Sequence, residues 1–372
     1  MSRTAIAILS TENLLHNLQV IQEKVKSAKI IAMVKANAYG HGIRSVAARL
    51  DKHVAMLGVA SIDEALALRK SGVKCDIMLA EGVFEASELI VASTEKFHVV
   101  FHHASQLEWL QKSHCPLPLQ AWIKVNTGMG RLGFSLEDSK IAYKQLCESP
   151  VVAKPVRVMS HFACADEPEH PLNAQQINDF QSLIQDLKLQ GLSAEYSFCN
   201  SAALFSFKDC YYEYVRPGIA LYGISPLPGQ SAQSLNLKPV MTLQSSVISV
   251  QNMPQGAFIG YGARYQCPEA MPVGVVAFGY GDGYPISARD GTPLLVNGIA
   301  CPLVGRVSMD MLMVDLRPCA HAKVGDPVIL WGQGLPIERV VEHTSNITWD
   351  LLTGVQHRVK FLWTPNTLTP DR

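Results

Sequence analysis

Two rhythms of apolar and polar residues run through the first two-thirds of the chain. Ser10 or Thr11 stands where a helix cap belongs, and Leu14, Leu18, Ile21 and Val25 follow at spacings of four, three and four. That stripe predicts an amphipathic helix. Short apolar runs then recur at 30–34, 56–60, 76–80, 98–101, 121–125, 156–160, 196–199 and 214–218. Between them stand helix-like segments such as 62–70, 106–111, 136–146 and 174–189. Eight strand signals alternating with helices predict an α/β protein with a (β/α)8 TIM-type barrel. A doubly wound sheet is the alternative, but no G-x-G-x-x-G follows the first strand.

Beyond residue 226 the texture changes. Pro226, Pro228, Gly229 and a Ser/Gln-rich stretch read as a linker. Short segments punctuated by glycine and proline follow at 240–250, 273–278, 294–296, 311–316 and 327–330, and they predict a C-terminal, mainly-β domain. The expected division is a barrel over residues 10–228 and a β-rich domain over 236–372, with residues 1–9 a candidate addition to the latter.

Composition narrows the function. With 48% hydrophobic and 17% charged residues in 372, the chain has ample material for a buried core. A formal net charge of zero gives no footing for nucleic acid or an anionic membrane surface. Nine cysteines scattered without a C-x-x-C read as neither a disulfide framework nor a zinc site, and no metal is expected. The apolar stretch at 5–9 is too short for a signal sequence and no run reaches the length of a membrane span, so a cytoplasmic protein is expected.

In a barrel enzyme the active face is built at the C-terminal ends of the strands. The first run ends in Lys35, with Tyr39 in what reads as a loop beyond it. Lys124 and Arg131 lie at and beyond the fifth, His161 follows the sixth, Asn200 and Ser201 the seventh, and Arg216, Gly218 and Ile219 stand at the eighth. Each has a structural reading: a solvent-facing lysine, a satisfied histidine, a buried ion pair, a short-helix cap. Their recurrence on one face favours the functional one. The template also places a phosphate site after strands seven and eight, where Ser201 offers a hydroxyl and Gly218-Ile219 backbone N–H groups. A phosphorylated ligand beside an amine able to form a Schiff base points to pyridoxal 5'-phosphate.

The motifs Val34-Lys35-Ala36-Asn37-Ala38-Tyr39-Gly40-His41-Gly42, Val125-Asn126-Thr127-Gly128-Met129-Gly130-Arg131-Leu132-Gly133, Ser160-His161-Phe162-Ala163, Asn200-Ser201-Ala202 and Arg216-Pro217-Gly218-Ile219 occur in order. Gly260-Tyr261-Gly262-Ala263, Gly279-Tyr280-Gly281-Asp282-Gly283-Tyr284 and Gly305-Arg306-Val307-Ser308-Met309-Asp310 continue the series. Over nearly its whole length the chain resembles the alanine racemase family, pyridoxal-phosphate enzymes built from a barrel and a β domain.

The resemblance implies that Lys35 carries the cofactor and that Tyr39, Ser201, Gly218 and Ile219 bind its phosphate. His161 and Asn200 would complete the cofactor site. Arg216 would face the pyridine nitrogen, and Arg131 the phenolic oxygen and the substrate carboxylate. Met309 would reach that carboxylate through its backbone N–H. Tyr261 would be a second base, contributed with Met309 across the interface of a homodimer. Lys124 aligns with a lysine that some members carry as a carbamate. The sequence departs from the pattern at His357, where some members have a tyrosine, and at Ser308, where cysteine is common.

The implied reaction interconverts L- and D-alanine, supplying D-alanine for peptidoglycan. Racemisation removes a proton from one face and returns one to the other, which a lysine and a tyrosine on opposite sides can do. For a tyrosine with the reference pKa of about 10, the phenolate costs roughly 4 kcal/mol at pH 7. His161 and Arg216 are placed to offset that. An arginine at the pyridine nitrogen disfavours ring protonation and so restrains transamination. Alternatives are a broad-specificity amino-acid racemase, an amino-acid decarboxylase on the same plan, and a non-catalytic protein of pyridoxal-phosphate homeostasis, which would resemble the barrel alone.

Overall fold

In the computed structural model, which describes residues 4–364, eight parallel strands close into a barrel. From first to eighth they are Lys29–Met33, Met56–Val59, Asp76–Leu79, His98–Phe101, Leu119–Lys124, Val152–Met159, Glu195–Ser197 and Tyr214–Val215. Each pairs with its chain neighbour, and the eighth closes on the first with Tyr214 opposite Lys29 and Val215 opposite Ile30. These are the eight apolar runs of the sequence with their ends shifted. The sixth begins at Val152 rather than at 156, because its exposed Lys154 and Pro155 interrupt the apolar pattern. The runs are unbroken because side chains on both faces are covered: Ile31, Ala32, Leu57, Val99, Val100 and Trp122 have no exposed surface.

The helix Thr11–Val25 buries Leu14, Leu18, Ile21 and Val25. Its start is marked by Ser10, whose hydroxyl accepts from the Asn13 N–H at 3.0 Å. Asn17 on the same face is fully buried, and its amide donates to the carbonyls of Leu221 at 3.0 Å and Lys238 at 2.8 Å. The helix Ile62–Lys70 is capped by Ser61, and Leu136–Glu148 by Ser135.

The N-terminal ends of the barrel strands carry a polar floor. Arg157 donates from Nε to Glu195 at 2.7 Å and from Nη1 to Gln120 at 3.2 Å. Glu195 also takes Lys29 at 3.4 Å and the Tyr214 hydroxyl at 3.2 Å. Trp122 Nε1 donates to His98 Nδ1 at 3.0 Å, and His98 Nε2 faces Asp76 at 3.4 Å. An indole N–H can only donate, so the His98 proton is assigned to Nε2 and the ring is neutral. Burial holds His98 below its ordinary pKa, against the pull of Asp76.

The second unit is mainly β. In its sheet the strand Ile6–Ser10 lies between Met241–Met253, antiparallel to it, and Lys360–Thr364, parallel to it. Met241–Met253 pairs with Pro327–Trp331 along its first half and with Met271–Val276 along its second, with register shifts in both ladders. Pro293–Val296 and Ile299–Pro302 form a hairpin, and Leu312–Asp315 pairs with Met271–Val276. By contacts the chain divides into a barrel unit, Leu15–Ala38 with Gly42–Lys238, and a β unit comprising the residues up to Leu14, Tyr39–His41 and those from Pro239 onward. The first division falls at 14/15 rather than at 10, because residues after the strand Ile6–Ser10 follow it into the β unit, and the second at 238/239 rather than at 228–236, because Asn17 of the barrel unit bonds both the carbonyl and the N–H of Lys238. Residues 1–3 and 365–372 of the expected β-rich domain lie outside the described residues. No helix among the described residues is long and apolar enough to cross a membrane.

The neutral His98 makes a pH-dependent contribution to stability. Its folded pKa lies below the ordinary value of 6.5, so this contribution is complete above that value and is withdrawn as pH falls through the folded pKa. In urea denaturation between pH 7 and 5, His98→Gln should show a shallower loss of stability with acidification than the parent protein.

Candidate active site

Lys35 directly follows the first barrel strand and its buried neighbour Val34. The segment beyond it is a left-handed helical turn rather than an irregular loop: Ala36, Asn37, Ala38 and Tyr39 have φ of 51°, 53°, 54° and 52°, and Gly40 has φ 80°. Left-handed backbone costs about 1–2 kcal/mol for each non-glycine residue. Hydrogen bonds hold the turn against that strain. The Ala38 N–H donates to Val34 at 2.8 Å, the Gly42 N–H to Asn37 at 3.0 Å, and the Ile43 N–H to the Asn37 side chain at 2.9 Å. The Ala36 N–H donates to the Glu64 carboxylate at 2.8 Å. Gly40 is required, because a Cβ there would collide with the Leu352 carbonyl.

The Lys35 amine donates to Glu81 at 3.0 Å. Glu81 lies beyond the third strand, and its own carbonyl is 3.1 Å from His102 Nε2. Lys124, at the end of the fifth strand, is buried. Burial, then the charges of Arg216, Arg131 and Lys35, pull its pKa down to about 8. Arg131 stands in an exposed loop ordered by Asn126, whose side-chain oxygen accepts from the Gly128 N–H at 3.1 Å and the Gly130 N–H at 3.0 Å.

Arg216, next after the eighth strand, is buried, and its pKa is lowered by that burial to about 10. Its guanidinium donates to Ser197 Oγ at 2.6 Å and to the carbonyls of Ser160 at 2.5 Å and Phe198 at 3.3 Å. It also meets His161 Nδ1 at 3.3 Å. Since arginine only donates, Nδ1 is the acceptor and the His161 proton is assigned to Nε2. Burial, followed by the charges of Arg216, Lys124, Arg131 and Lys35, holds His161 well below its ordinary range. It is a neutral imidazole with a donor to offer.

Ser201 opens the helix Ser201–Ser206, and its hydroxyl accepts from the N–H groups of Gly218 at 2.8 Å and Ala220 at 3.4 Å. Asn200 caps that helix through a bond from the Ala203 N–H at 3.0 Å, so the capping role open to it in the sequence is filled. The barrel unit therefore brings together Lys35, Lys124, Arg131, His161, Arg216 and the Ser201–Gly218 cradle. Four cations, a hydroxyl and backbone N–H groups are the donor set that a phosphorylated, anionic ligand requires.

The β unit carries the remaining candidates. Tyr39 is half-buried, and burial pushes its pKa up to about 12. Tyr261 and Met309 are 69% and 54% exposed. The loop carrying Tyr261 is fastened by Arg264, which donates to the Gly305 carbonyl at 2.8 Å. That carrying Met309 is fastened by Arg358, which bonds the Met309 carbonyl at 3.2 Å, Asp310 at 2.8 Å and the buried Asp282 at 2.7 Å. His357 is exposed.

Two residues of the site escaped sequence reasoning. Glu81 stands two positions past the end of the third strand, where a search for phosphate-binding cations and hydroxyls does not look. Gln176 lies inside the helix Pro171–Leu189, where strand-end logic does not apply. Fully buried, it donates to Thr127 at 3.1 Å and to the His161 carbonyl at 3.0 Å, and accepts from the Ala163 N–H at 2.9 Å. It ties the loop after the fifth strand to the loop after the sixth.

A barrel that gathers the Lys35 amine with Lys124, Arg131 and Arg216 beyond its strand ends, joined in one chain to a β unit, has the form of a two-domain enzyme for anionic ligands. Residues 9–226 match the family model "Alanine racemase, N-terminal domain" and residues 240–363 "Alanine racemase, C-terminal domain". An alanine racemase of Legionella pneumophila (strain Lens) is 44% identical over 361 residues, covering 97% of this chain and 100% of that protein. One from Photobacterium profundum is 45% identical over 359 residues, covering 96% and 98%. The biosynthetic alanine racemase of Pseudomonas aeruginosa superposes with a TM-score of 0.92 at 38% identity, covering 97% of this chain and 99% of that one. That of Acinetobacter baumannii gives 0.90 at 36%, covering 97% and 100%. The chain belongs to the alanine racemase family.

The backbone demand at Gly40 is directly measurable. Gly40→Ala adds left-handed strain of about 1–2 kcal/mol and a clash with the Leu352 carbonyl. It should therefore lower the urea-unfolding free energy by more than about 2 kcal/mol.

Proposed function

We propose that the protein is a pyridoxal-phosphate-dependent isomerase that interconverts L- and D-alanine, with Lys35 and Tyr261 as its two bases. The observation that carries the reading is the cluster of Lys35, Lys124, Arg131 and Arg216 at one end of the barrel. Burial, and after it the charges of Arg216, Arg131 and Lys35, bring the Lys124 pKa down to about 8. Such a site accepts a phosphate and a carboxylate together. Relatives at 44–45% identity named alanine racemase support alanine as the substrate. The match over residues 240–363 argues against a barrel-only homeostasis protein.

When bound, the cofactor supplies an electron sink for the charge left by removal of the α-proton. Ser201, Gly218, Ile219 and Tyr39 hold its phosphate, and Asn200 supports Ser201 by fixing the start of the helix. Arg216, charged and held through its two Nη groups by Ser197, Ser160, His161 and Phe198, would present a donor rather than a carboxylate to the pyridine nitrogen, which would keep that nitrogen unprotonated. Arg131 and the Met309 N–H hold the substrate carboxylate. Lys35 moves the proton on the face of D-alanine and Tyr261 on that of L-alanine. His161 offers its Nε2 proton to the Tyr261 oxygen. Lys124, partly neutral near pH 8, has the free amine that carbamate formation requires; the product would place a negative charge near Arg131.

Lys35 belongs to the barrel unit and Tyr261 to the β unit. We read the second base as the contribution of a second copy. Phe258, Tyr261 and Met309 are 58%, 69% and 54% exposed, and an open depression of about 440 Å³ lined by Met253, Phe258, Ile259 and Met313 adjoins Tyr261. An apolar surface of this kind marks an interface. D-alanine production in the cytoplasm for peptidoglycan is the use that fits this activity.

Borohydride reduction of the loaded enzyme followed by peptide mapping should place the pyridoxyl mass on Lys35; label on another lysine would overturn the assignment. Equal mixing of inactive Lys35→Ala and Tyr261→Phe proteins under exchanging conditions should restore about one quarter of wild-type activity. Half the dimers are then mixed, and one of their two sites carries neither lesion. In Tyr261→Ala, α-hydrogen exchange into deuterated water should persist for D-alanine and collapse for L-alanine. Equal loss for both would contradict the two-base reading.

A further inference from the structure

We propose that Glu64 is a positioning residue for Lys35, holding the left-handed turn from which the amine emerges. The proposal rests on the reading of Lys35 as the cofactor-bearing lysine. Glu64 is the third residue of the helix Ile62–Lys70, and Ser61 caps that helix by accepting the Glu64 N–H at 3.4 Å. A carboxylate at this helix position ordinarily turns back to the N–H of the cap residue itself. Glu64 does something else. Its Oε2 accepts from the Ala60 N–H at 2.9 Å, and its Oε1 crosses to the Ala36 N–H at 2.8 Å.

Ala36 is the first of the four left-handed, non-glycine residues after Lys35. The bonds at Ala38, Gly42 and Ile43 tie this segment to itself or to the residue before Lys35. The bond to Glu64 comes from another element, the helix after the second strand. It is charge-assisted and so about twice as strong as a neutral one. Ala36 is exposed, so without this acceptor its N–H would turn to water and the turn would lose its anchor beside Lys35. The peptide joining Lys35 to Ala36 then rotates, and with it the direction in which the half-buried lysine stem projects. A Schiff-base lysine must present its nitrogen within bonding reach of an aldehyde carbon, which makes that direction a catalytic quantity.

The alternative is that Glu64 merely completes the start of its own helix, and amide exchange separates the two. In the cofactor-free protein, Glu64→Gln should speed hydrogen–deuterium exchange across residues 35–43 by about tenfold, the loss of one charge-assisted bond. It should also slow the borohydride-trapped capture of pyridoxal phosphate at Lys35 by a similar factor. Ser61→Ala, which weakens the helix start without touching Ala36, should speed exchange only in residues 62–70 and leave capture within about twofold. Glu64→Asp, one methylene shorter, cannot span both donors and should follow Glu64→Gln, which keeps the test decisive if either variant folds poorly. Faster exchange confined to 62–70 in the Glu64 variants, with capture unchanged, would reduce Glu64 to a helix cap and overturn the proposal. Capture by a lysine other than Lys35 in the parent protein would instead overturn the Lys35 reading, while exchange over 35–43 would still judge Glu64.

Discussion

Arg216 carries a charge that does not reach water, and the active end of the barrel is arranged around keeping that charge satisfied. A buried guanidinium with an orphaned N–H is costly, so each of its donors needs an acceptor in a fixed place. Ser197 on the seventh strand, the Ser160 and Phe198 carbonyls just past the sixth and seventh, and His161 provide them. These acceptors hold the sixth, seventh and eighth strand ends in mutual register. The contact with Nδ1 decides the tautomer of His161, and, after burial, the charge of Arg216 is the next influence lowering the pKa of His161 and of Lys124. One buried cation therefore fixes the shape of the site and adds to the electrostatics that burial establishes.

The two ends of the barrel solve opposite problems. At the floor, Arg157 and Lys29 are matched by Glu195, while the neutral His98 bonds Asp76, so positive charge is neutralised within the protein. At the other end Lys35 has Glu81, while Lys124, Arg131 and Arg216 leave positive charge over. A fold stabilised at one end can carry that electrostatic cost at the other, which is the usual division of a barrel enzyme.

The barrel was legible in the sequence because strands covered on both faces leave unbroken apolar runs. The lysine at the end of the first run, the histidine after the sixth and the arginine at the eighth could then be placed on one rim by counting alone. What stayed hidden had no periodic trace. Ala36, Ala38 and Tyr39 carry no preference for positive φ, so the left-handed turn is imposed by Glu64, Asn37 and the residues around them rather than by propensity. The strand Lys360–Thr364 is only partly buried and lacks a continuous apolar face. The helices Ile337–Val341 and Thr348–Thr353 are too short to show a stripe. The hairpin at Asn297-Gly298 did have a signature, since both residues adopt positive φ, 49° and 80°, as its two-residue turn requires. Its second strand, four residues ending in proline, falls below the length at which alternation is readable.

The place of Ile6–Ser10 in the β sheet has a consequence for how the polypeptide matures on the ribosome. This strand leaves the ribosome before every strand of the barrel, yet its parallel neighbour begins at Lys360, opposite Ile6. At a synthesis rate of about 5–20 residues per second, roughly 20 to 70 s separate the two partners' emergence. Until Met241–Met253 follows, the early strand has unpaired backbone on both edges, and from then until Lys360–Thr364 follows it keeps one open edge, although every strand of the barrel is by then available to fold. The strand Ile6–Ser10 thus presents an open sheet edge until Lys360–Thr364 is made, and a ribosome stalled short of that point releases a protein with that edge uncovered.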